Sequence, residues 1–283
     1  MKVVEVEMSG GLGNQLFKWA NGLRIAKAKS AKLLLNIDFY KNFEIKPQTT
    51  PREFQLHKLP LVAKTFQVSP FVSLSRSFKF LRIPLKENYS APDGKVLNLF
   101  DQVFTVRGNF EDLKYIPPDV NVRNAIDEIE SVTPWLAEKI DFFDEKRVLA
   151  VHIRLGDYLN NADLYDVVSQ EYYINAIKCL SSLTTFDKVL LFSDDPSAAS
   201  DRYPKISREF EFLASPRNAD PIETLKLLTC AKGIVSTNST FSWWATYFHK
   251  HRELTIIPEK YSNIHGDKSA SKLRLPNQIV LKN

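Results

Sequence analysis

Apolar and polar positions follow two distinct rhythms along this chain. Near the start, Val4, Val6 and Met8 alternate with Glu5 and Glu7, the period-two pattern of a strand. After Ser9-Gly10-Gly11-Leu12-Gly13-Asn14-Gln15 the rhythm changes, and Leu16, Trp19 and Ala20, Leu23 and Ala26 recur at helical spacing. Residues 32–36 predict a second strand and 103–110 another. Between 38 and 100 the pattern is irregular, with one exception. Ser69-Pro70 starts a helix that puts Phe71, Leu74, Phe78, Leu81 and Leu85 on one face and Arg76, Lys79, Arg82 and Lys86 elsewhere on the wheel. Residues 125–140 predict a helix broken at Pro134, a connector to the second domain.

The second half is more regular. Strands are predicted at 148–153, 188–192, 209–213, 233–236 and 254–258, with helices at 170–180, from 196, at 221–230 and at 241–249. Strands alternating with helices over this length make an α/β fold with a parallel sheet covered on both faces. Ligands of such sheets sit at the strand C-termini. Three polar clusters fall at that edge: His152-Ile153-Arg154-Leu155-Gly156-Asp157-Tyr158, Ser193-Asp194-Asp195, and Ser236-Thr237-Asn238-Ser239-Thr240.

Composition narrows the class without naming it. With 283 residues, 44% hydrophobic and 25% charged, the chain suits two globular domains. Cys179 and Cys230 lie in apolar helical patterns and read as buried small hydrophobes of a reducing compartment. Acids at Glu5 and Glu7 stand where a signal peptide needs an unbroken apolar run, so none is expected, and no apolar run approaches transmembrane length. A cytoplasmic protein, soluble or peripherally attached, is expected. The net charge of +5 suits a nucleotide, a phosphate-bearing substrate or an anionic membrane surface, and no nucleic-acid motif is present. The five histidines, 57, 152, 249, 251 and 265, show no ligand spacing, so no metal site is expected.

Strand, glycine loop and helix form an anion-cradling arrangement, with Gly11, Gly13, Asn14 and Gln15 at the helix start. It does not complete a dinucleotide fingerprint, because Leu16 stands where the third glycine belongs, and it lacks the Gly-Lys-Ser/Thr of a P-loop. The same glycines also serve a tight turn. Arg154 offers a planar cation able to fork onto two phosphate oxygens. Asn238, Ser239 and Thr240 open a helix and present hydroxyls and backbone N–H groups to a further oxygen. A carboxylate at Asp194 or Asp195 can accept two hydrogen bonds from a guanine edge. Plainer readings stand beside these: a helix cap at Ser239 and Thr240, a βα turn at Asp194-Asp195-Pro196, and acids at a helix start at Glu111 and Asp112.

Four stretches taken together, M-S-G-G-L-G-N-Q-L-F (8–17), H-I-R-L-G-D-Y (152–158), F-S-D-D-P (192–196) and T-N-S-T-F-S-W-W-A (237–245), resemble the bacterial α-1,2-fucosyltransferase family in residues and in order. The resemblance runs from residue 3 to about 261, leaving 38–100 unanchored. It implies a GT-B architecture: two Rossmann-like domains facing a central cleft, residues 1–140 as the acceptor-side domain and 141–283 as the donor-binding one. It further implies a GDP-β-L-fucose donor, inversion at the anomeric carbon, no metal requirement, and a galactose-terminated acceptor of a surface polysaccharide or lipopolysaccharide. By the same resemblance Arg154 binds the donor β-phosphate, and His152 faces the nucleotide. Asp194 or Asp195 reads guanine, Ser239 and Thr240 hold phosphate, and Gly11, Gly13, Asn14 and Gln15 face the donor from the other domain.

Two departures stand out. Leu155 occupies the place of a second arginine, and Glu111 that of a glutamine near residue 110. If strand alternation holds, residue 155 points away from 154. Glu111 and Asp112 are the candidate bases for the acceptor hydroxyl, and a dissociative transition state that passes the proton to the leaving phosphate is the alternative with no dedicated side chain. The basic helix at 70–83 has a use if the acceptor is lipid-linked, docking the enzyme on the inner membrane. Two other classes are weighed: an NAD-dependent oxidoreductase using an acid near Asp38, and a non-catalytic saccharide-binding module. The first fails on the missing glycine; neither gives work to Arg154.

Overall fold

The computed structural model describes residues 2–41, 52–69, 86–91, 94–99, 102–129, 133–156, 167–216, 219–261 and 272–283, with backbone alone for those between 86 and 99. The helix expected at 70–83, and Asp157 and Tyr158 of the arginine motif, lie outside them. The chain divides into two compact units, Met1–Glu130 and Ser131–Asn283.

In the first unit the strands are β1 (Val3–Glu7), β2 (Lys32–Asn36), β3 (Gln67–Val68), β4 (Lys86–Ala91), β5 (Gly94–Leu99) and β6 (Val103–Gly108), in the order β3-β2-β1-β6-β5-β4. The first four in that order are parallel, while β5 and β4 run antiparallel at the edge. The helices are α1 (Leu12–Lys29), α2 (Asp38–Lys41), α3 (Pro60–Ala63) and α4 (Val120–Arg123). From β1 the chain winds outward through β2 and β3, then returns to the other side of β1 with β6. The reversal opens a crevice at the C-terminal ends of β1 and β6. Because β1 is a central parallel strand, both its faces are covered. Glu5, expected on a polar face, is fully buried and accepts hydrogen bonds from Asn36 Nδ2 (3.4 Å) and Ser69 Oγ (3.1 Å).

The second unit holds β7 (Val148–Ile153), β8 (Lys188–Ser193), β9 (Glu211–Phe212), β10 (Gly233–Val235), β11 (Thr255–Pro258) and β12 (Ile279–Leu281). All are parallel, in the order β12-β11-β10-β7-β8-β9. Its helices are α5 (Pro134–Glu145), α6 (Gln170–Leu183), α7 (Pro196–Arg202), α8 (Pro204–Glu209), α9 (Pro221–Cys230) and α10 (Thr240–Phe248). The winding reverses between β7 and β10, so the loops after these two strands flank this unit's crevice.

Pro134 starts a helix here instead of breaking one, as its missing N–H and fixed φ favour. Thr133 caps α5, accepting from Leu136 N at 3.2 Å, and the buried Glu223 of α9 accepts from both Thr133 N (2.9 Å) and Thr133 Oγ1 (3.1 Å). This tie places α5 with the second unit, which begins ahead of the expected limit at residue 140.

Candidate active site

In the second unit, β7 sends alternate side chains to opposite faces. Leu149, Val151 and Ile153 enter a core with Tyr172, Tyr173 and Leu180 of α6, and Leu155 continues that series, fully buried. The leucine that stands in place of a second arginine is therefore a core residue. Its backbone N–H donates to Asp194 Oδ1 at 3.0 Å, while Arg154 Nη1 lies 2.9 Å from Asp194 Oδ2. One carboxylate thus fixes both the cation and the backbone just after it. Gly156 permits this, since a Cβ there would collide with Asp194 Oδ2. The Arg154 and Asp194 side chains are 17% and 25% exposed, so salt screens their pairing less than it would a surface pair.

His152 belongs to the same series as Arg154. Its ring lies 5.5 Å from that of Phe241, and its buried Nδ1 has no hydrogen-bond partner among the described residues. Burial first, then the Arg154 charge, pushes its pKa down to about 3. The imidazole is therefore neutral near pH 7 and can accept one hydrogen bond and donate another.

The loop after β10 is pinned from α6, where Tyr172 Oη donates to the Ser236 carbonyl at 2.6 Å. Asn238 Oδ1 accepts from Thr237 Oγ1 at 3.1 Å, and Ser239 Oγ caps α10 by accepting from Phe241 N at 3.3 Å. Asn238 and Ser239 are buried, whereas Thr240 is partly exposed at the helix start. Asp195, the alternative guanine reader, caps α7, accepting from Ala198 N at 3.0 Å. Asp194 and Asp195 each therefore have a structural role within the protein.

In the first unit the glycine loop is a tight turn held from several sides. Gly10 has φ +82°, and a Cβ there would approach Asn14 Nδ2 to 2.8 Å. Gln15, expected to face the donor, is fully buried and spends its amide on the protein. Its Nε2 donates to the Gly10 (3.2 Å) and Glu53 (2.7 Å) carbonyls, and its Oε1 accepts from Gln55 N (2.9 Å). Gln15 is thus a staple for the loop, not a ligand contact. Tyr40 Oη adds a further hold on the loop, donating to the Gly10 carbonyl at 3.0 Å. Gly13 is buried as well, while Gly11 and Asn14 remain partly exposed.

To the Glu111 and Asp112 singled out in the sequence, this region of the first unit adds Lys18, Glu7 and Arg107. Lys18 of α1 is only 4% exposed, and its Nζ donates to Ser9 Oγ. Burial lowers its pKa to about 8 against the opposing pull of Glu111, then Glu7. Arg107 Nη2 pairs with Glu7 Oε1 at 2.7 Å. The chain reaches Glu111 through Phe110, a buried residue at φ +60°. Such a backbone costs about 1–3 kcal/mol and is kept only where its surroundings impose it. Here the Phe110 ring meets Tyr115 edge-on at 5.5 Å. Asp112 has local work, accepting from Lys114 N and pairing with Lys114 Nζ, each at 3.0 Å.

Residues 128–277 match glycosyl transferase family 11, more than half of the chain. The chain belongs to that family. Membership sets aside the dinucleotide oxidoreductase and the non-catalytic saccharide-binding module. The O-antigen biosynthesis glycosyltransferase WbnK of Escherichia coli is 22% identical over 97% of this chain and 99% of its own length. An alpha-1,2-colitosyltransferase of the same organism is 24% identical over 91% and 92% respectively. Among solved structures, fucosyltransferase NodZ from Bradyrhizobium is similar with a TM-score of 0.52 at 13% identity, covering 88% of this chain and 93% of that one. The NodZ alpha-1,6-fucosyltransferase soaked with GDP-fucose gives a TM-score of 0.50 at 15% identity, covering 88% and 92%. These likenesses establish a fold of the GT-B type. Among the described residues no group of three or more His, Cys, Asp or Glu is placed to hold a metal ion, and no helix is long and apolar enough to cross a membrane.

Proposed function

We propose that this glycosyltransferase moves L-fucose from GDP-β-L-fucose to the 2-hydroxyl of a galactoside acceptor, with inversion, during assembly of a surface polysaccharide such as an O-antigen. The observation that carries the reading is the Arg154–Asp194 arrangement at the switch point of a parallel sheet, beside the N-terminus of α10. An arginine fixed in this way is set to receive a phosphate oxygen bidentately. As the bond from the anomeric carbon to the β-phosphate oxygen breaks, negative charge grows on GDP. Arg154, the first N–H groups of α10 and Thr240 meet that charge without reorganising. His152 supplies neutral hydrogen-bonding capacity at the nucleotide, and Asp194 holds Arg154 in place. Asp195 is the carboxylate of the pair whose side chain is not bonded to Arg154, and it takes the guanine edge. Gly11, Gly13 and Asn14 shape the glycine loop of the first unit, and the second unit, Ser131–Asn283, holds the nucleotide.

Glu111 takes the proton of the acceptor hydroxyl, since Asp112 is committed to Lys114. The name of the first E. coli relative supports an O-antigen context, and that of the second puts an activated colitose beside GDP-fucose in any donor panel. The test is GDP release and linkage analysis with both donors and a set of β-galactosides. Arg154→Ala is expected to lower kcat by about 10²-fold or more with the fold retained. Wild-type turnover in that variant would overturn the donor-site assignment. Retention of the wild-type enzyme on anionic vesicles at low salt, and its release by high salt, tests attachment through residues 70–83.

A further inference from the structure

A buried ammonium meets a hydroxyl at the edge of the first unit's sheet. Gly22 seats α1 on β1, since a Cβ there would collide with Val6 Cγ2. Lys18 lies on the same helix face one turn nearer the helix start, and so over the C-terminal end of β1. Its neighbours Leu16, Phe17, Trp19 and Ala20 are fully buried, and Lys18 is nearly so. A buried ammonium is retained where hydrogen bonds and opposite charge offset its lost hydration. Among the described residues its hydrogen bond goes to Ser9 Oγ, just past the end of β1.

That bond decides how Ser9 can act. A serine hydroxyl carries one donor and two acceptor lone pairs, whereas an ammonium only donates. Ser9 Oγ is therefore the acceptor, and its own proton is left to give elsewhere; among the described residues nothing receives it. A hydroxyl that accepts from a cation is also a stronger donor, because successive hydrogen bonds polarise one another. Ser9 is partly exposed, unlike the buried Met8 before it. It stands at the crevice beside β6, where Val6 pairs with Val106. The loops after these two strands, which carry Ser9 and Glu111, thus open on one edge of the sheet.

We propose that Ser9 is an acceptor-binding residue, aimed by Lys18 so that its hydroxyl donates a hydrogen bond to a sugar hydroxyl beside the reacting one. This rests on the acceptor being a galactoside bound at the first unit's crevice. The reacting oxygen is the wrong partner, since a donated bond would occupy the lone pair it needs for attack. The 3-, 4- and 6-hydroxyls of a galactoside remain. A serine that only satisfied Lys18 would give its proton to water. Removing an acceptor hydroxyl would then cost wild type and Ser9→Ala the same factor.

The test is kcat/KM with GDP-fucose and methyl β-galactoside or its 3-, 4- and 6-deoxy analogues. It is run on the full chain and on Ser9→Ala, Ser9→Thr, Lys18→Met and the Ser9→Ala/Lys18→Met double variant, with thermal unfolding of each. In wild type the analogue lacking the Ser9 partner should lose about tenfold, the worth of one good hydrogen bond. Ser9→Ala should lose a similar factor on the parent sugar and show no further penalty for that analogue, because the two changes remove one contact. Ser9→Thr keeps the hydroxyl and should keep the penalty. Lys18→Met frees the hydroxyl to rotate and should shrink it. Ser9→Ala also strands the ammonium and loses stability on that account. The double variant has no ammonium to strand, so it should lack the penalty in a stably folded protein. Penalties equal in wild type and in both variants carrying Ser9→Ala overturn this inference and leave the galactoside reading in place. An undiminished penalty in Lys18→Met overturns the part given to the lysine. Absence of transfer by wild type to any galactoside overturns that reading, and this inference with it.

Discussion

His152 shows what a single residue at the end of a buried strand does to the stability of the whole. Its pKa in the folded protein, about 3, lies below the ordinary 6.5, so between these values the unfolded chain binds a proton that the folded one refuses. Stability from this group is complete above pH 6.5 and falls as the pH drops toward 3. The full interval corresponds to about 5 kcal/mol. His249 is shifted the same way by burial and adds to the trend. Urea midpoints at pH 4 and pH 7 are expected to differ by less in His152→Asn than in wild type; an equal difference would refute the neutral, buried imidazole. Residues of this kind are legible in the sequence because strand alternation alone separates 152 and 154 from 153 and 155. Gln15 and Lys18 are not. Gln15 points to a ligand because polar residues at a helix start often do, and only the carbonyls of Gly10 and Glu53 reveal its work. Lys18 breaks an apolar run, Leu16-Phe17-Lys18-Trp19, and a cation inside such a run is the one signal the sequence carries for it.

At the scale of elements, strands that succeed one another in a parallel sheet are predicted at their observed bounds, as at β2 and β7, or to within a residue at one end, as at β8 and β11. The pattern fails where packing overrides local rhythm. Glu5 alternates like a surface residue yet is buried, because β1 has a neighbour on each side and layers on both faces. The β4–β5 pair is hidden within the irregular stretch, although Pro92-Asp93-Gly94 is a hairpin turn signal. Pro134 reads as a breaker because the tie from Thr133 to α9 is invisible in sequence. That tie is testable. Glu223→Ala leaves two donors of Thr133 without their acceptor, and a loss of about 1–3 kcal/mol is expected, with Glu223→Gln losing less. Unchanged urea midpoints in Glu223→Ala would show that α5 is held by its apolar contacts alone.

At the scale of the whole chain, the family match at 128–277 nearly coincides with the second unit, Ser131–Asn283. That unit has its own parallel sheet and its own continuous core around β7 and α6. Residues 131–283 expressed alone are therefore expected to unfold in one cooperative transition, measured by calorimetry and by circular dichroism with coincident midpoints. A broad, non-cooperative melt would show that the core is completed by residues before 131.

The alternation along β7 carries a practical consequence for anyone who redesigns this enzyme. Libraries that vary the H-I-R-L stretch as one block mix two unrelated tasks. On the donor-site proposal, substitutions at 152 and 154 would sample donor preference, whereas those at 153 and 155 alter the core. Polar replacements in the second set, an arginine restored at 155 included, would be discarded as unfolded before any sugar was tried. The useful search space here is half as dense as the motif suggests, and it lies on one side of the strand.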